Sequence, residues 1–182
     1  MPLRFREDRV TQAAGRLLRR HGGRMPYLKL LKLLYLADRS ALLKHGRPIS
    51  FDRFVAMPHG PVLSRTYDLI ASEPDPRTPS YWRTYISPAE KYEVRLLTDT
   101  PVDQLSPAEV AIIDEVFAEF GDWDKWKLVE FTHGLPEYRD PEGSSAPIPV
   151  RSILFAEGWS EEDVREVEDA LGAEVTLEGL TG

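Results

Sequence analysis

The sequence predicts a mainly α fold with a small antiparallel β element, an α+β domain whose compact helical core surrounds a central apolar helix at about 26–44. Three observations predict it. Apolar residues recur at three- and four-residue spacing in several segments, the pattern of amphipathic helices. The segment from residue 27 to 43 is apolar around almost its whole circumference, which marks a helix covered on several sides. Only short stretches, chiefly Tyr92-Glu93-Val94-Arg95-Leu96, alternate as a strand does.

Phe5 to His21 forms the first helix, with Val10, Ala13, Ala14, Leu17 and Leu18 on its apolar stripe, and Gly22-Gly23 ends it. Arg16, Arg19 and Arg20 lie off that stripe and are expected in solvent. Pro26 opens the second helix, where a missing N–H costs nothing. Leu28, Leu30, Leu31, Leu33, Leu34, Leu36, Leu42 and Leu43 leave it only the narrow polar stripe of Lys29, Lys32 and Arg39. Asp38 interrupts an apolar face and needs hydrogen-bond or cationic partners if buried, with Arg47 and His59 as candidates, or water if it sits at the helix rim. Gly46, available for a left-handed cap, and Pro48 stop the helix.

Phe51, Phe54, Val55 and Met57 form an extended or short helical link. His59-Gly60-Pro61-Val62 is then expected to open a helix running to about Ser72, with Gly60 allowing close backbone approach and Pro61 in the first turn. Residues 73–80 form a proline-rich loop, and Tyr81 to Thr98 is expected as short strands. Ser106-Pro107-Ala108-Glu109 is a capping box opening a helix that ends at Gly121. Trp123 to Phe131 gives another helix, leading into Thr132-His133. Residues 140–149 form a second loop. Ser160 caps a last acidic helix expected to end at Leu171-Gly172, followed by a mobile tail.

At 182 residues the chain is long enough for one domain with a real core. The absence of cysteine excludes disulfides, thiolate catalysis and cysteine-bound metal. No secretory leader and no window near the ~18 apolar residues of a membrane span is seen, so a cytoplasmic protein without membrane partners is expected. Charge is strongly uneven. Residues 1–50 carry twelve Lys/Arg against three Asp/Glu, residues 51–102 six against seven, and residues 103–182 five against twenty. Either the acidic third folds over the basic first third, or it is displayed to a cationic partner.

The four histidines make neither HxxxH nor HExxH, so no metal site is expected. No GxSxG, GxGxxG or GxxxxGK[ST] occurs, so neither a hydrolase elbow nor a phosphate cradle supports catalysis. An acid–base pair of Asp38 and His59 is the remaining route to a small hydrolase, and needs both side chains within hydrogen-bond reach in an open pocket. The basic first helix could meet phosphates, but a sequence pI of about 5.2 weighs against nucleic acid.

Taken together, KLLKLLYLADRSALLKHGRPI, Phe54-Val55-Ala56, His59-Gly60-Pro61-Val62 with Tyr67, and LSPAEVAIIDEVFAEFGDW leading to Thr132-His133 resemble the Panacea domain of SocA-like antitoxins. The resemblance covers roughly residues 8–155. The family often has Pro-Trp soon after Thr-His, where this chain reads Gly134-Leu135-Pro136-Glu137-Tyr138. The expected division is a Panacea-like domain over 1–157 and an acidic helix and tail over 158–182. The resemblance implies a non-enzymatic antitoxin, without cofactor, that neutralises a cognate protein toxin by direct binding. The alternative it implies is an adaptor delivering a toxin to an energy-dependent protease of the AAA+ kind. Expected contact groups are Phe51, Arg53, Arg65, Tyr67, Tyr81 and Trp82, while Asp38, Gly46, Pro48, His59, Gly60, Pro61 and His133 are expected to shape the backbone.

Overall fold

A computed structural model describes residues 4–180, with side chains to residue 174. α1 (Glu7–Arg20), α2 (Tyr27–His45) and α5 (Pro107–Phe120) pack on one another, with α2 between the others and the rest of the fold. α6 (Lys125–His133) and a β-hairpin cover the remaining sides of α2. This placement explains its composition. Leu30, Leu31, Leu33, Leu34, Leu36, Leu42 and Tyr35 are all buried, each large side chain contributing about 1.5–3 kcal/mol by leaving water. α2 stops where Gly46 turns left-handed at φ 72° and its N–H returns to the Leu42 carbonyl at 2.9 Å.

The hairpin is β2 (Phe54–Met57) and β3 (Gly60–Leu63), antiparallel with Phe54 opposite Leu63 and Met57 opposite Gly60. β5 (Ala146–Pro147) pairs with the other edge of β2, so the strand order is β3-β2-β5. A separate pair joins β1 (Arg24–Pro26) to β4 (Glu93–Arg95). α3 (Ser64–Ala71), α4 (Tyr81–Tyr85), α7 (Val150–Ala156) and α8 (Glu161–Leu180) complete the order of elements.

Three expectations are corrected. His59-Gly60-Pro61-Val62 is a hairpin turn and edge strand, not a helix start; the helix opens at Ser64. Proline is compatible with β3 because an edge strand has one row of N–H groups without ladder partners. Tyr81–Tyr85 is a short helix capped by Ser80, whose hydroxyl accepts from Arg83 N at 3.2 Å; of the expected strands only 93–95 forms one. The last helix continues through Gly172 to Leu180, and Val164, Val167 and Leu171 join the core. The capping box stands as expected, Ser106 accepting from Glu109 N at 3.2 Å and Glu109 from Ser106 N at 2.8 Å.

Part of the charge asymmetry is neutralised within the fold. Arg16 and Arg20 do not simply point into solvent; both hold Asp114 of α5, at 2.6 and 2.7 Å. Arg9 pairs with Glu109, Lys44 with Glu115, and Arg47 with Glu174. The acidic segments thus lie against the basic first third.

Candidate functional site

The site is built around the hairpin tip. α2 carries Lys32 into the interior, where the side chain is fully buried and its Nζ donates to the Pro61 carbonyl oxygen at 2.9 Å. Burial without an anion beside it pushes its pKa down to about 7. Gly60, at φ 102°, lies directly over that ammonium. A Cβ there would come within 3.0 Å of Lys32 Nζ and of Thr132 Oγ1, and 3.1 Å of His133 Cδ2. Only a glycine fits both the backbone conformation and the space. His133 stacks on Tyr138 with ring centroids 4.8 Å apart, and the Tyr138 hydroxyl donates to the Met57 carbonyl at 2.8 Å. Motifs some seventy residues apart in sequence therefore meet at one node beneath the hairpin.

Above the node opens a cleft of about 560 Å³ between α2, the hairpin tip and the start of α6. Leu28, Leu31 and Val62 line it together with Tyr27, Tyr67, Tyr92 and Trp126. Tyr92 is 72% exposed and Trp126 58%, the two most exposed large apolar side chains among the described residues. His59 stands edge-on to Trp126 at 6.3 Å, and Lys125 Nζ lies 5.3 Å from the Trp126 ring and 5.9 Å from that of Tyr92. α6 is aimed at the cleft by Asp124, whose carboxylate caps it through Trp126 N and Lys127 N at 2.8 and 2.9 Å.

Asp38 lies further along α2, about two turns beyond Leu31. It is 2% exposed and accepts from Ile49 N at 3.0 Å, Ser50 N at 3.1 Å and the Ser50 hydroxyl. Desolvation raises its pKa to about 7 against the pull of those donors. Neither expected partner serves it: Arg47 pairs with Glu174, and His59 lies against Trp126. An acid–base pair of Asp38 and His59 is therefore not assembled. Ser50 Oγ in turn accepts from Asp52 N at 3.1 Å, linking Asp38 to a second buried carboxylate. Asp52 accepts from Arg53 N, Arg65 N, Thr66 N and Thr66 Oγ1, and so caps α3 from outside the helix. No sequence signal marked Asp52, because its partners are backbone amides 13 and 14 residues away.

The expected contact residues divide. Trp82 is completely buried and Phe51, at φ 54° with the Arg9 and Arg47 guanidinium groups 5.6 and 6.0 Å from its ring, is 8% exposed. Both belong to the core and offer no surface to a partner. Tyr81 is half-buried, its hydroxyl accepting from Gln12 at 2.9 Å. Arg53 and Arg65 are exposed, and half-buried Tyr67 reaches the cleft. Sequence reasoning missed Lys32, Tyr92, Lys125 and Trp126 as a group, since the cleft joins segments that have no common motif. It also missed Glu137, whose buried carboxylate takes the Tyr35 hydroxyl at 2.9 Å and Arg39 Nε at 2.6 Å. Among the described residues no three His, Asp or Glu side chains cluster as a metal site, and no helix is long and apolar enough to cross a membrane.

A helical domain with a hairpin-based cleft is the class these features define. The profile of the family described as antitoxin SocA-like, Panacea domain, matches residues 30–138, more than half of the chain. The chain belongs to that family, which gives it an antitoxin-type role. The matched span holds α2 from Leu30 onward, the hairpin, α6 and Tyr138, which build the node and all of the cleft lining except Tyr27 and Leu28. No curated protein and no solved structure matches the chain.

Proposed function

We propose that this chain is a non-enzymatic antitoxin that neutralises a cognate protein toxin in the cytoplasm by binding it directly. The observation that carries the reading is the pair of exposed aromatics, Tyr92 and Trp126, at the mouth of a cleft inside the family-matched fold. Tyrosine and tryptophan are the residue types that dominate interface hot spots, and a stable complex buries about 1,200–2,000 Å² in total. Tyr67 lines the same cleft, and Arg53 and Arg65 are exposed. Co-expression with the product of the neighbouring open reading frame tests the reading. That product should arrest growth alone and be harmless beside this chain. Protection should be lost with the double substitution Tyr92→Ala and Trp126→Ala, at unchanged folding. Loss of the toxin protein itself, dependent on an ATP-driven protease, would instead identify delivery for degradation. A neighbour that is harmless alone and does not bind this chain would remove the reading.

A further inference from the structure

We propose that the cleft above the hairpin tip is a binding pocket for a small anion carried on a flat, apolar body: an aromatic carboxylate or an aromatic phosphate. Three observations converge on this class. The first is size and surface. A volume of about 560 Å³ lies within the ~300–1,000 Å³ usual for small-ligand pockets, and the lining combines the aromatic residues Tyr27, Tyr67, Tyr92 and Trp126 with Leu28, Leu31 and Val62.

The second is charge. The chain carries 30 Asp and Glu against 23 Lys and Arg, yet among the described residues the ionisable side chains lining this cleft besides its tyrosines are Lys32, Lys125 and His59, with no carboxylate. Lys125 is placed over the Tyr92 and Trp126 rings, so a bound ring system would lie beside a cation at the mouth.

The third is Lys32 itself. An ammonium carries three N–H donors, and here one goes to the Pro61 carbonyl while no ion-pair partner is found among the described residues. A wholly buried cation with spare donors is costly unless an anion completes it. Burial alone has drawn its pKa to about 7, so an arriving anion would restore the charged form. Gly60 keeps a side chain off the ammonium nitrogen, since a Cβ there would come within 3.0 Å of it. This inference does not rest on toxin binding and stands or falls separately from it.

The experiment uses the whole chain and four probes: 2-naphthoate, 1-naphthyl phosphate, the neutral isostere 2-naphthamide, and inorganic phosphate. Affinities are read by calorimetry at neutral pH. One or both of the aromatic anions should bind at least tenfold more tightly than the amide, and inorganic phosphate should be far weaker than either. Whichever of the carboxylate and the phosphate binds better fixes the anion. Lys32→Met should reduce the aromatic anion to the amide's affinity while leaving the amide unchanged. Trp126→Ala should weaken anion and amide together. Lys125→Gln, an exterior change that does not threaten folding, should weaken the anion several-fold and provides the test if Lys32→Met does not fold. Equal affinity for anion and amide, no binding of either anion, or binding indifferent to Lys125→Gln and Trp126→Ala would each overturn the proposal.

Discussion

Asp52→Ala should cost about 3 kcal/mol of stability, and the structure shows where that comes from. Asp52 is 1% exposed, and its Oδ2 takes Thr66 N and Thr66 Oγ1, each at 2.9 Å. Thr66 is itself fully buried, so alanine leaves two interior donors without an acceptor. Each such group costs about 1–3 kcal/mol. α3 also loses the negative charge at its positive end, worth about 0.3–1 kcal/mol. Against this, the amides of Arg53 and Arg65 belong to exposed residues where water can replace the carboxylate. The variant further escapes the desolvation that raises the Asp52 pKa. Urea unfolding followed by circular dichroism reads the difference, with the midpoint falling and the slope unchanged. Asp52→Asn should also lose stability, because only one of its two terminal atoms accepts and the other turns N–H groups toward one pair of the Asp52 donors. A loss below about 1 kcal/mol for alanine, or an asparagine variant as stable as the parent, would show that α3 does not depend on this cap.

Gly60→Ala should lower Tm by roughly 4–8 °C: a side chain at φ 102° is strained by about 1–3 kcal/mol and must also displace Lys32 Nζ and Thr132 Oγ1. A thermal melt within 2 °C of the parent would contradict it. Stability against pH should pass through a minimum near neutrality as far as Asp38 and Lys32 set it. Asp38 has a folded pKa of about 7 against 3.8, so the native state holds the extra proton and stability falls as pH rises between those values. Lys32 has a folded pKa of about 7 against 10.5, so the unfolded chain holds the extra proton and stability rises as pH climbs between those values. Each limb is at most about 1.4 kcal/mol per pH unit, and Asp38→Asn and Lys32→Met should flatten the acid and alkaline limbs respectively. Glu137→Gln should cost about 3 kcal/mol in denaturant unfolding because it removes the buried charge, at a side chain with 0% exposure, that Arg39 Nε and the Tyr35 hydroxyl share, leaving Arg39 only Glu157 as its carboxylate partner. Glu115→Gln, in a pair with 49% and 60% exposed partners, should cost under about 1 kcal/mol.

What was legible in the sequence was whatever local physics decides. α2 follows from leucine spacing, its end from Gly46 and Pro48, and the start of α5 from its capping box. His59-Gly60-Pro61 misled because glycine and proline suit a helix entry and an edge-strand turn equally well. The choice was made by pairing with β2, which is itself paired with β5 some ninety residues on. Asp38 was visible as a carboxylate that needed partners. The partners were invisible because Ile49 and Ser50 offer mainly backbone amides, and every residue type has one. Lys32 was hidden for a related reason: on a helix pattern it sits in a polar stripe with Lys29 and Arg39. Only the hairpin folding back over α2 turns the Lys32 end of that stripe into an interior.

The same folding gives the charge pattern its meaning. Six of the cations in α1, α2 and the turn after α2 (Arg9, Arg16, Arg20, Arg39, Lys44 and Arg47) are held by carboxylates from residue 109 onward. An acidic third engaged in this way is a fastening for the basic helices, and it leaves less of its charge to steer a cationic partner. Lys32 differs from those six in having a carbonyl in place of a carboxylate, although it is the most deeply enclosed cation of α2. A chain with acidic groups in excess could readily have supplied it with one. Its environment instead combines a glycine that sets no side chain against the nitrogen, a proline carbonyl that orients it, and aromatic residues without acid beside it. Those features position a cation for something that arrives from outside the chain, which is why the hairpin tip, more than the paired surfaces, is where recognition chemistry is concentrated.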